Sequence, residues 1–244
     1  MTCAAIQWLP ASAGIGRALA ERLDVPGHEI ALHRFPDGEL RVTVGPAAPT
    51  IVVCCSLDEP NEKLIALLFT AEALRRGGAR RLVLVAPYFS YMRQDAAFHS
   101  GEAISQRAIG DLFVNMFDRV ITMEAHLHRA ATLKDDRSVQ IVFSDPKLLL
   151  HRPVLLIDDI VSSGSTLIAC AEALASSGVS SIDAVVIHAL FPPELMNAFG
   201  RTGIRSLRST NSVPHPTNAI ALDHILADAL LREVVGSSIA ENRV

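Results

Sequence analysis

The sequence predicts an α/β protein in which parallel sheets are flanked by helices. Short apolar runs alternate along the chain with segments of helical periodicity, which is the order expected of β-α-β units with right-handed crossovers. Hydrophobic residues make up 50% of the 244 residues but aromatic residues only 5%, so the apolar mass is aliphatic. Such a composition suits strands buried between helices. The length allows one large α/β domain or two modest ones.

Each predicted element follows from its local pattern. The clearest helix covers 61–76, where an apolar stripe at helical spacing ends at Gly77 and Gly78. The predicted helices are Ser12–Leu23, Asn61–Arg76, Ser105–Met116, Ser165–Ser176, Pro193–Phe199 and Asp223–Val234. The predicted strands are Ala5–Leu9, Thr50–Cys54, Arg81–Pro87, Arg119–Met123, Val154–Ile157, Ala184–Leu190 and Ile204–Thr210, with a further candidate at Val139–Phe143.

The polar stretch Lys134–Ser138 is the predicted border between two units. We therefore expect an N-terminal domain over residues 1–145 and a C-terminal domain over residues 146–244.

Charge and cysteine usage narrow the class of protein. The 22 basic and 26 acidic residues give a net charge of −4, which argues against binding nucleic acid through phosphate contacts. The four cysteines form no Cys-x-x-Cys pair, which argues against a disulfide framework or a zinc site. No signal peptide and no membrane-spanning apolar run is visible. We therefore expect a cytoplasmic protein.

The segment Val154–Thr166 is the most specific in the chain. It predicts a strand that ends in two carboxylates, Asp158 and Asp159, before a loop that opens a helix. The loop, here called the serine loop, consists of Ser162, Ser163, Gly164, Ser165 and Thr166. Its amides and hydroxyls at a helix start predict an anion site. The Lys of a Walker A loop is absent, so a sugar monophosphate fits better than a nucleoside triphosphate. The carboxylates could accept from sugar hydroxyls or help to hold Mg²⁺.

Two N-terminal segments carry residues suited to a nucleotide. In Arg34–Val42, Phe35 offers a flat apolar face to a purine, and Asp37 and Glu39 can accept from an exocyclic amine or ribose hydroxyls. In Ala86–Asp95, Arg93 and Gln94 can contact phosphate oxygens or a base edge. Each segment could also be an ordinary turn or a solvated loop.

These segments together resemble one family. Val154–Thr166 resembles the phosphoribosyl pyrophosphate (PRPP) motif of type I phosphoribosyltransferases and of ribose-phosphate pyrophosphokinases. Arg34–Val42, Asp58–Glu62 and Ala86–Asp95 resemble the pyrophosphokinases specifically, as do Met123–His126 and Ser209–Val213. The resemblance implies two phosphoribosyltransferase-like units, ATP and ribose 5-phosphate as substrates, Mg²⁺ as the metal, and a homo-oligomer, either a dimer or a hexamer.

The resemblance also assigns roles to residues. Phe35, Asp37, Glu39, Arg93 and Gln94 would bind ATP, and Asp158, Asp159 and the serine loop would bind ribose 5-phosphate. His126 would be the catalytic residue and a metal ligand. Glu124, which stands where the family has Asp, would be the second metal ligand.

The chain departs from the family pattern in its centre. Ser144–Leu150 runs directly into the strand that begins at Val154, and residues 127–157 number only 31. The family's pyrophosphate loop and its flexible basic loop would lie between these segments. Either a segment is missing at Leu150/His151, which we favour from the clean junction, or the fold itself is shortened and catalytically impaired.

Two other functions remain open. A non-catalytic family member could bind nucleotide or sugar phosphate and regulate active homologues, and the shortened centre supports this alternative. A phosphoribosyltransferase acting on a base is supported only by the PRPP-like segment. The pair Gly14 and Gly16 lacks the third glycine of a dinucleotide-binding loop, so we interpret it as structural.

Overall fold

The computed structural model describes residues 4–97, 99–124 and 146–240, with side chains described for residues 4–97, 99–124 and 148–234. The chain forms two compact units. One contains the described residues up to 124 together with those from 222 onward, and the other contains residues 146–221. The candidate strand at 139–143 and the predicted border at 134–138 lie outside the described residues.

The first unit is built on a five-stranded parallel sheet of order β2-β1-β5-β6-β7. A separate antiparallel hairpin, β3–β4, lies in sequence between β2 and β5. The strands of the first unit are β1 (Ala4–Trp8), β2 (Gly27–Glu29), β3 (Ala31–Arg34), β4 (Leu40–Thr43), β5 (Thr50–Cys54), β6 (Arg81–Val85) and β7 (Arg119–Ile121). Its helices are α1 (Ala13–Leu23), α2 (Pro60–Arg76), α3 (Ser105–Met116) and α6 (Asp223–Ala240).

The second unit has a four-stranded parallel sheet of order β11-β10-β9-β8. Its strands are β8 (Pro153–Val161), β9 (Ser181–Ala189), β10 (Ile204–Thr210) and β11 (Asn218–Ile220). Helices α4 (Ser165–Ser176) and α5 (Met196–Arg201) accompany short 3-10 turns at Pro146–Leu149 and Pro193–Leu195. One core cluster, which includes Leu167, Leu174 and Phe199, packs the helices against the strands.

The first sheet is covered on both faces. Every residue of β1 and β5 is buried, which is typical of parallel strands between two helical layers. Residues of α2 and α3 form the core on one face, and residues of α1 and α6 form it on the other. This arrangement confirms the predicted α/β class.

Helix α6 does not follow the predicted domain ranges of 1–145 and 146–244. Its apolar residues Leu226 and Leu230 lie in the core of the first unit, packed with Leu19 of α1. The chain therefore returns to the first unit after completing the second. The chain passes between the two units twice, whereas the predicted polar border at 134–138 marks only the first passage. A single boundary along the sequence therefore cannot separate the units.

All seven strands and six helices predicted outside 139–143 are present, but short elements were missed. The strands of hairpin β3–β4 have only four residues each. Leu40 and Val42 of β4 alternate with exposed residues, but this pattern is too short to identify a strand. Gly16 packs against Trp8, where an added Cβ would lie 2.6 Å from the ring, which supports the structural interpretation of Gly16. Among the described helices, none is both long and apolar enough to cross a membrane.

The backbone is continuous through Leu150/His151. The amide of Arg152 donates to the Leu149 carbonyl at 3.1 Å, and the His151 amide donates to the Gly178 carbonyl at 2.9 Å. His151 adopts a left-handed φ of 57°. The junction is a hydrogen-bonded turn, so nothing at this point marks a missing segment and the preference for one gains no support. The alternative, a fold shortened relative to the family, is the one this turn supports.

Candidate active site

The two carboxylates of the second unit lie within strand β8, although the sequence predicted that the strand would end at them. Asp158 pairs with Val186 of β9, and the ladder continues through Ile160 and Val161. The Asp158 carboxylate accepts from the Asp159 amide at 3.0 Å, and the Asp159 carboxylate accepts from the Ile160 amide at 2.8 Å. Both acids are half-buried. They lie near the carboxyl-terminal edge of the sheet, where ligands of parallel sheets bind.

The serine loop connects β8 to α4 at this edge. Gly164 has a left-handed φ of 73° immediately before the helix, a conformation that glycine adopts without steric cost. Ser163, Ser165 and Thr166 are exposed. The amides of Ser163, Gly164 and Thr166 have no acceptor among the described residues. Exposed hydroxyls and open amides at the start of a twelve-residue helix make a suitable anion site.

A second loop at the same edge follows β10 and is held by buried polar groups. Thr210 Oγ1 donates to the Ile187 carbonyl at 2.6 Å, and Ser212 Oγ donates to the same carbonyl at 3.0 Å. The fully buried His188 has its Nδ1 2.8 Å from Ser212 Oγ. Sequence reasoning noted Ser209–Val213 but missed His188, because its partner lies 24 residues away.

The N-terminal nucleotide candidates Phe35, Asp37 and Glu39 lie on the β3–β4 hairpin. The Phe35 amide donates to the Glu39 carbonyl at 2.8 Å, and Gly38 donates to the Phe35 carbonyl at 2.9 Å. The Phe35 ring is 37% exposed. It packs edge-on to His33 at 4.7 Å between ring centroids, and the Arg41 guanidinium lies 5.8 Å from its centroid. One aromatic surface is thus held in place and still open to solvent.

The acids of the hairpin turn occupy different environments. Asp37 Oδ1 accepts from the Glu39 amide at 3.2 Å, so this carboxylate also shapes the turn. Glu39 lines a cleft of about 430 Å³ between the turn and helix α2, together with Ile65 and Phe69 of that helix. The turn therefore presents one acid with a conformational role and one beside an open cleft.

Arg93 and Gln94 lie on a different loop, after β6. Arg93 is exposed, and its charge opposes the burial that raises the pKa of Tyr88. Gln94 is half-buried, and its side-chain oxygen accepts from Ser105 Oγ at 2.8 Å at the start of α3. Both segments contact α2, since Tyr91 of this loop donates to Asn61 and Arg34 of the hairpin pairs with Glu62. A shared nucleotide pocket stays a prediction.

Glu124 follows β7 and forms a parallel bridge with Tyr88. The second predicted metal ligand, His126, lies outside the described residues. No cluster of three metal-binding side chains occurs within the described ranges. A Mg²⁺ ion usually takes one or two carboxylates, substrate phosphates and water. The half-buried carboxylate of Glu124 at a strand end fits this partial role.

Comparison with protein families agrees with this architecture. A model described as the N-terminal domain of ribose phosphate pyrophosphokinase matches residues 5–116. A phosphoribosyl transferase domain model matches residues 118–194, which include the serine loop. The fold and the loop thus define a protein of phosphoribosyltransferase architecture. The N-terminal match, which covers the hairpin and the 93–94 loop, argues against a base phosphoribosyltransferase.

Relatives that match most of this chain are named ribose-phosphate pyrophosphokinases. A ribose-phosphate pyrophosphokinase of Methanopyrus kandleri is 27% identical, with 88% of this chain and 94% of the relative covered. One from Thermococcus kodakarensis is 26% identical, with 80% and 89% covered. A crystal structure of phosphoribosylpyrophosphate synthetase from Mycobacterium smegmatis shares the fold, with a TM-score of 0.76, 18% identity and coverage of 95% and 99%. The chain belongs to the ribose-phosphate pyrophosphokinase family.

The alignment lengths also bear on the shortened centre. The match to the Methanopyrus kandleri protein extends over 277 positions, while this chain has 244 residues. Because the match covers only 88% of this chain, or about 215 residues, about 62 of the aligned positions face gaps in this chain. Together with the continuous turn at Leu150/His151, this supports a chain that is shorter than its relatives within the matched region.

Proposed function

We propose that the chain is a ribose-phosphate diphosphokinase, which transfers pyrophosphate from ATP to ribose 5-phosphate to give PRPP and AMP. The observation that carries this proposal is the serine loop. Three of its amides lack acceptors among the described residues, and two carboxylates precede it on the same sheet edge. Family membership supports the proposal because the matched relatives are named for this reaction.

The second unit would bind ribose 5-phosphate. The amides of Ser163, Gly164 and Thr166 and the exposed hydroxyls would surround the 5-phosphate, since an anion is favoured at a helix N-terminus. Asp158 and Asp159, which precede the loop in β8, would accept hydrogen bonds from the ribose hydroxyls. These contacts would fix the sugar and leave its 1-hydroxyl free to react.

The first unit would bind ATP. The exposed ring of Phe35 would contact the adenine, and the Asp37 and Glu39 carboxylates would accept from the exocyclic amine or the ribose hydroxyls. The exposed guanidinium of Arg93 would meet phosphate oxygens, and Gln94 would lie beside it. Because the side-chain oxygen of Gln94 already accepts from Ser105, its amide nitrogen would make the contact.

In the reaction, the 1-hydroxyl of ribose 5-phosphate loses its proton, and its oxygen forms a bond to the β-phosphorus of ATP. The bond from the β-phosphorus to the oxygen that bridges it to the α-phosphorus breaks, and AMP leaves with that oxygen. The protein would act by aligning the two substrates and compensating negative charge. Mg²⁺, when bound, would neutralise triphosphate charge. Glu124 and His126 are the candidate residues for holding it.

The decisive experiment measures AMP release from ATP, with and without ribose 5-phosphate and Mg²⁺. We expect release that requires both, and we expect it to be lost in Asp158→Asn. Glu172→Gln, an exposed acid in α4 of the same unit, is the matched control and should keep activity. Binding of both substrates without AMP release would overturn the catalytic proposal.

A second candidate function is a non-catalytic homologue that binds the same ligands and regulates active family members. The shortened centre favours it, because about 62 aligned positions face gaps in this chain in the match to one relative. The family resemblance places the pyrophosphate loop and the flexible basic loop between Ser144–Leu150 and the strand that begins at Pro153. The same assay separates the two candidates, and addition of the chain to an active homologue tests regulation directly.

A further inference from the structure

The serine loop rests on a buried aromatic ring from another part of the second unit. A Cβ atom added to Gly164 would lie 2.7 Å from Cζ and 2.8 Å from Cε1 of Phe199. Phe199, in the short helix α5, is 1% exposed. The edge of its ring thus lies directly against the loop backbone, and no side chain would fit between them.

Phe199 is itself held by a second ring. Phe191, which follows β9 and is 2% exposed, packs against Phe199 with ring centroids 5.1 Å apart and planes at 88°. Perpendicular packing of this kind places the positive edge of one ring on the negative face of the other. Two buried rings in a close-packed core have little freedom to shift.

His215 fixes Phe191 from the loop between β10 and β11. Its ring lies 4.4 Å from that of Phe191, and its Nε2 donates to the Phe191 carbonyl at 3.0 Å. Nδ1 accepts from the Thr217 amide at 3.2 Å and lies 2.7 Å from Thr217 Oγ1. Both ring nitrogens of His215 therefore make hydrogen bonds. Through them, the loop after β10 holds Phe191 and, through its ring, Phe199.

We propose that Phe199 is a positioning residue for the serine loop, setting where its amides meet a phosphate although Phe199 itself touches no ligand. The inference rests on the proposed function of that loop. The path runs from His215 through Phe191 and Phe199 to Gly164, entirely within the second unit. A change at Phe199 should thus alter phosphate affinity without altering the loop sequence.

The sharpest variant is Phe199→Tyr. It retains the ring but adds a hydroxyl at Cζ, the atom nearest to the position that a Cβ would take at residue 164. Because Cζ lies only 2.7 Å from that position, we expect the added oxygen to crowd the loop backbone and shift it. We expect affinity for ribose 5-phosphate and for inorganic phosphate to fall about tenfold. Affinity for ATP, which the first unit would bind, should remain unchanged.

A second pair of variants covers the case in which Phe199→Tyr fails to fold. Phe199→Leu removes the ring edge that supports the loop and should weaken phosphate binding. Phe117→Leu removes a similarly buried ring from the core of the first unit and should lower stability alone. Affinities are measured by titration calorimetry well below the unfolding temperature of each variant.

Wild-type protein is titrated first with inorganic phosphate and with ribose 5-phosphate. If neither binds, the proposed function of the loop fails before Phe199 is tested. If the wild type binds and a folded Phe199→Tyr or Phe199→Leu binds equally well, the positioning role is wrong. If Phe117→Leu weakens phosphate binding as much as Phe199→Leu, the effect is general destabilisation and the proposal is again wrong.

Discussion

Arg22 of α1 donates two hydrogen bonds to the Asp223 carboxylate, at 3.0 Å from Nε and 2.7 Å from Nη2, across 201 positions of sequence. Asp223 opens α6, so the pair fixes the start of this helix on the first unit. The hydrogen bond from Arg22 holds the pKa of Asp223 below its usual range. Both bonds are made to the same oxygen, Oδ2, and both are charge-assisted.

Asp223→Asn should therefore destabilise the first unit by about 1 kcal/mol, because the charge-assisted bonds become neutral ones. Unfolding is followed by fluorescence of Trp8, the single tryptophan of the chain, which is buried in the first unit. Asp228→Asn, in an exposed position of the same helix, is the control and should leave the urea midpoint unchanged. Equal midpoints for all three proteins would contradict the role of the pair.

Glu233 of α6 should make stability depend on acid pH. Its carboxylate accepts from Arg81 at 2.6 Å and also from Arg119, and the Arg81 bond, although opposed by burial, lowers its pKa below the ordinary value of 4.5. The folded state thus binds the proton more weakly than the unfolded state. The stabilisation is complete above pH 4.5 and is lost as the pH falls through the lowered value.

We expect Glu233→Gln to be less stable than wild type at neutral pH and to approach it below pH 4.5. The measurement is the difference in urea midpoint, read from Trp8 fluorescence, across that range. Glu21→Gln, an exposed acid of α1, should follow the wild type at every pH. A difference for Glu233→Gln that stays constant with pH would show that the pair does not shift the proton equilibrium.

The spacing of apolar residues predicted the helices and strands well, because the buried face of each element determines where apolar residues occur in the sequence. The strand at 50–54 is a nearly continuous apolar run, and every one of its residues is buried. The helix at 61–76 was recognised from its apolar stripe and its terminal glycines. Such signals are local, so a single sequence contains them in full.

The parts that were not predicted depend on distant contacts. The return of α6 to the first unit rests on the packing of its apolar residues with Leu19 and on the Arg22–Asp223 pair. The support of the serine loop rests on Phe199 and His215. No spacing rule connects these residues, because their proximity results from topology. The carboxylates Asp158 and Asp159 were found by their position before the loop, but the strand continues past them through the ladder with β9.

Asp37→Ala should weaken ATP binding and leave ribose 5-phosphate binding unchanged, as expected of a nucleotide contact. The Asp37 carboxylate also accepts from the Glu39 amide at 3.2 Å, so a loss of the turn must be distinguished from a loss of contact. Asp37→Asn keeps an acceptor oxygen for that amide and removes the charge. If Asp37→Asn binds ATP like the wild type while Asp37→Ala does not, the residue acts by shaping the turn.

The uncovered edge of the second sheet provides the last prediction. Strand β8 pairs with β9 alone among the described residues, and Ile157 in this strand is 74% exposed. An exposed apolar side chain on an edge strand favours pairing between molecules, and lysine on such an edge opposes it. Ile157→Lys should therefore reduce concentration-dependent association, measured by light scattering at several protein concentrations.

The matched control is Val114→Lys, which replaces a β-branched residue that is 80% exposed on helix α3. A helix surface presents no unpaired strand amides, so this change should leave association as in the wild type. If both lysine variants reduce association equally, the effect comes from net charge and not from the sheet edge. If neither variant changes the association, strand β8 is not the associating surface. Its exposed apolar residues would then be a consequence of the shortened fold that does not cause association.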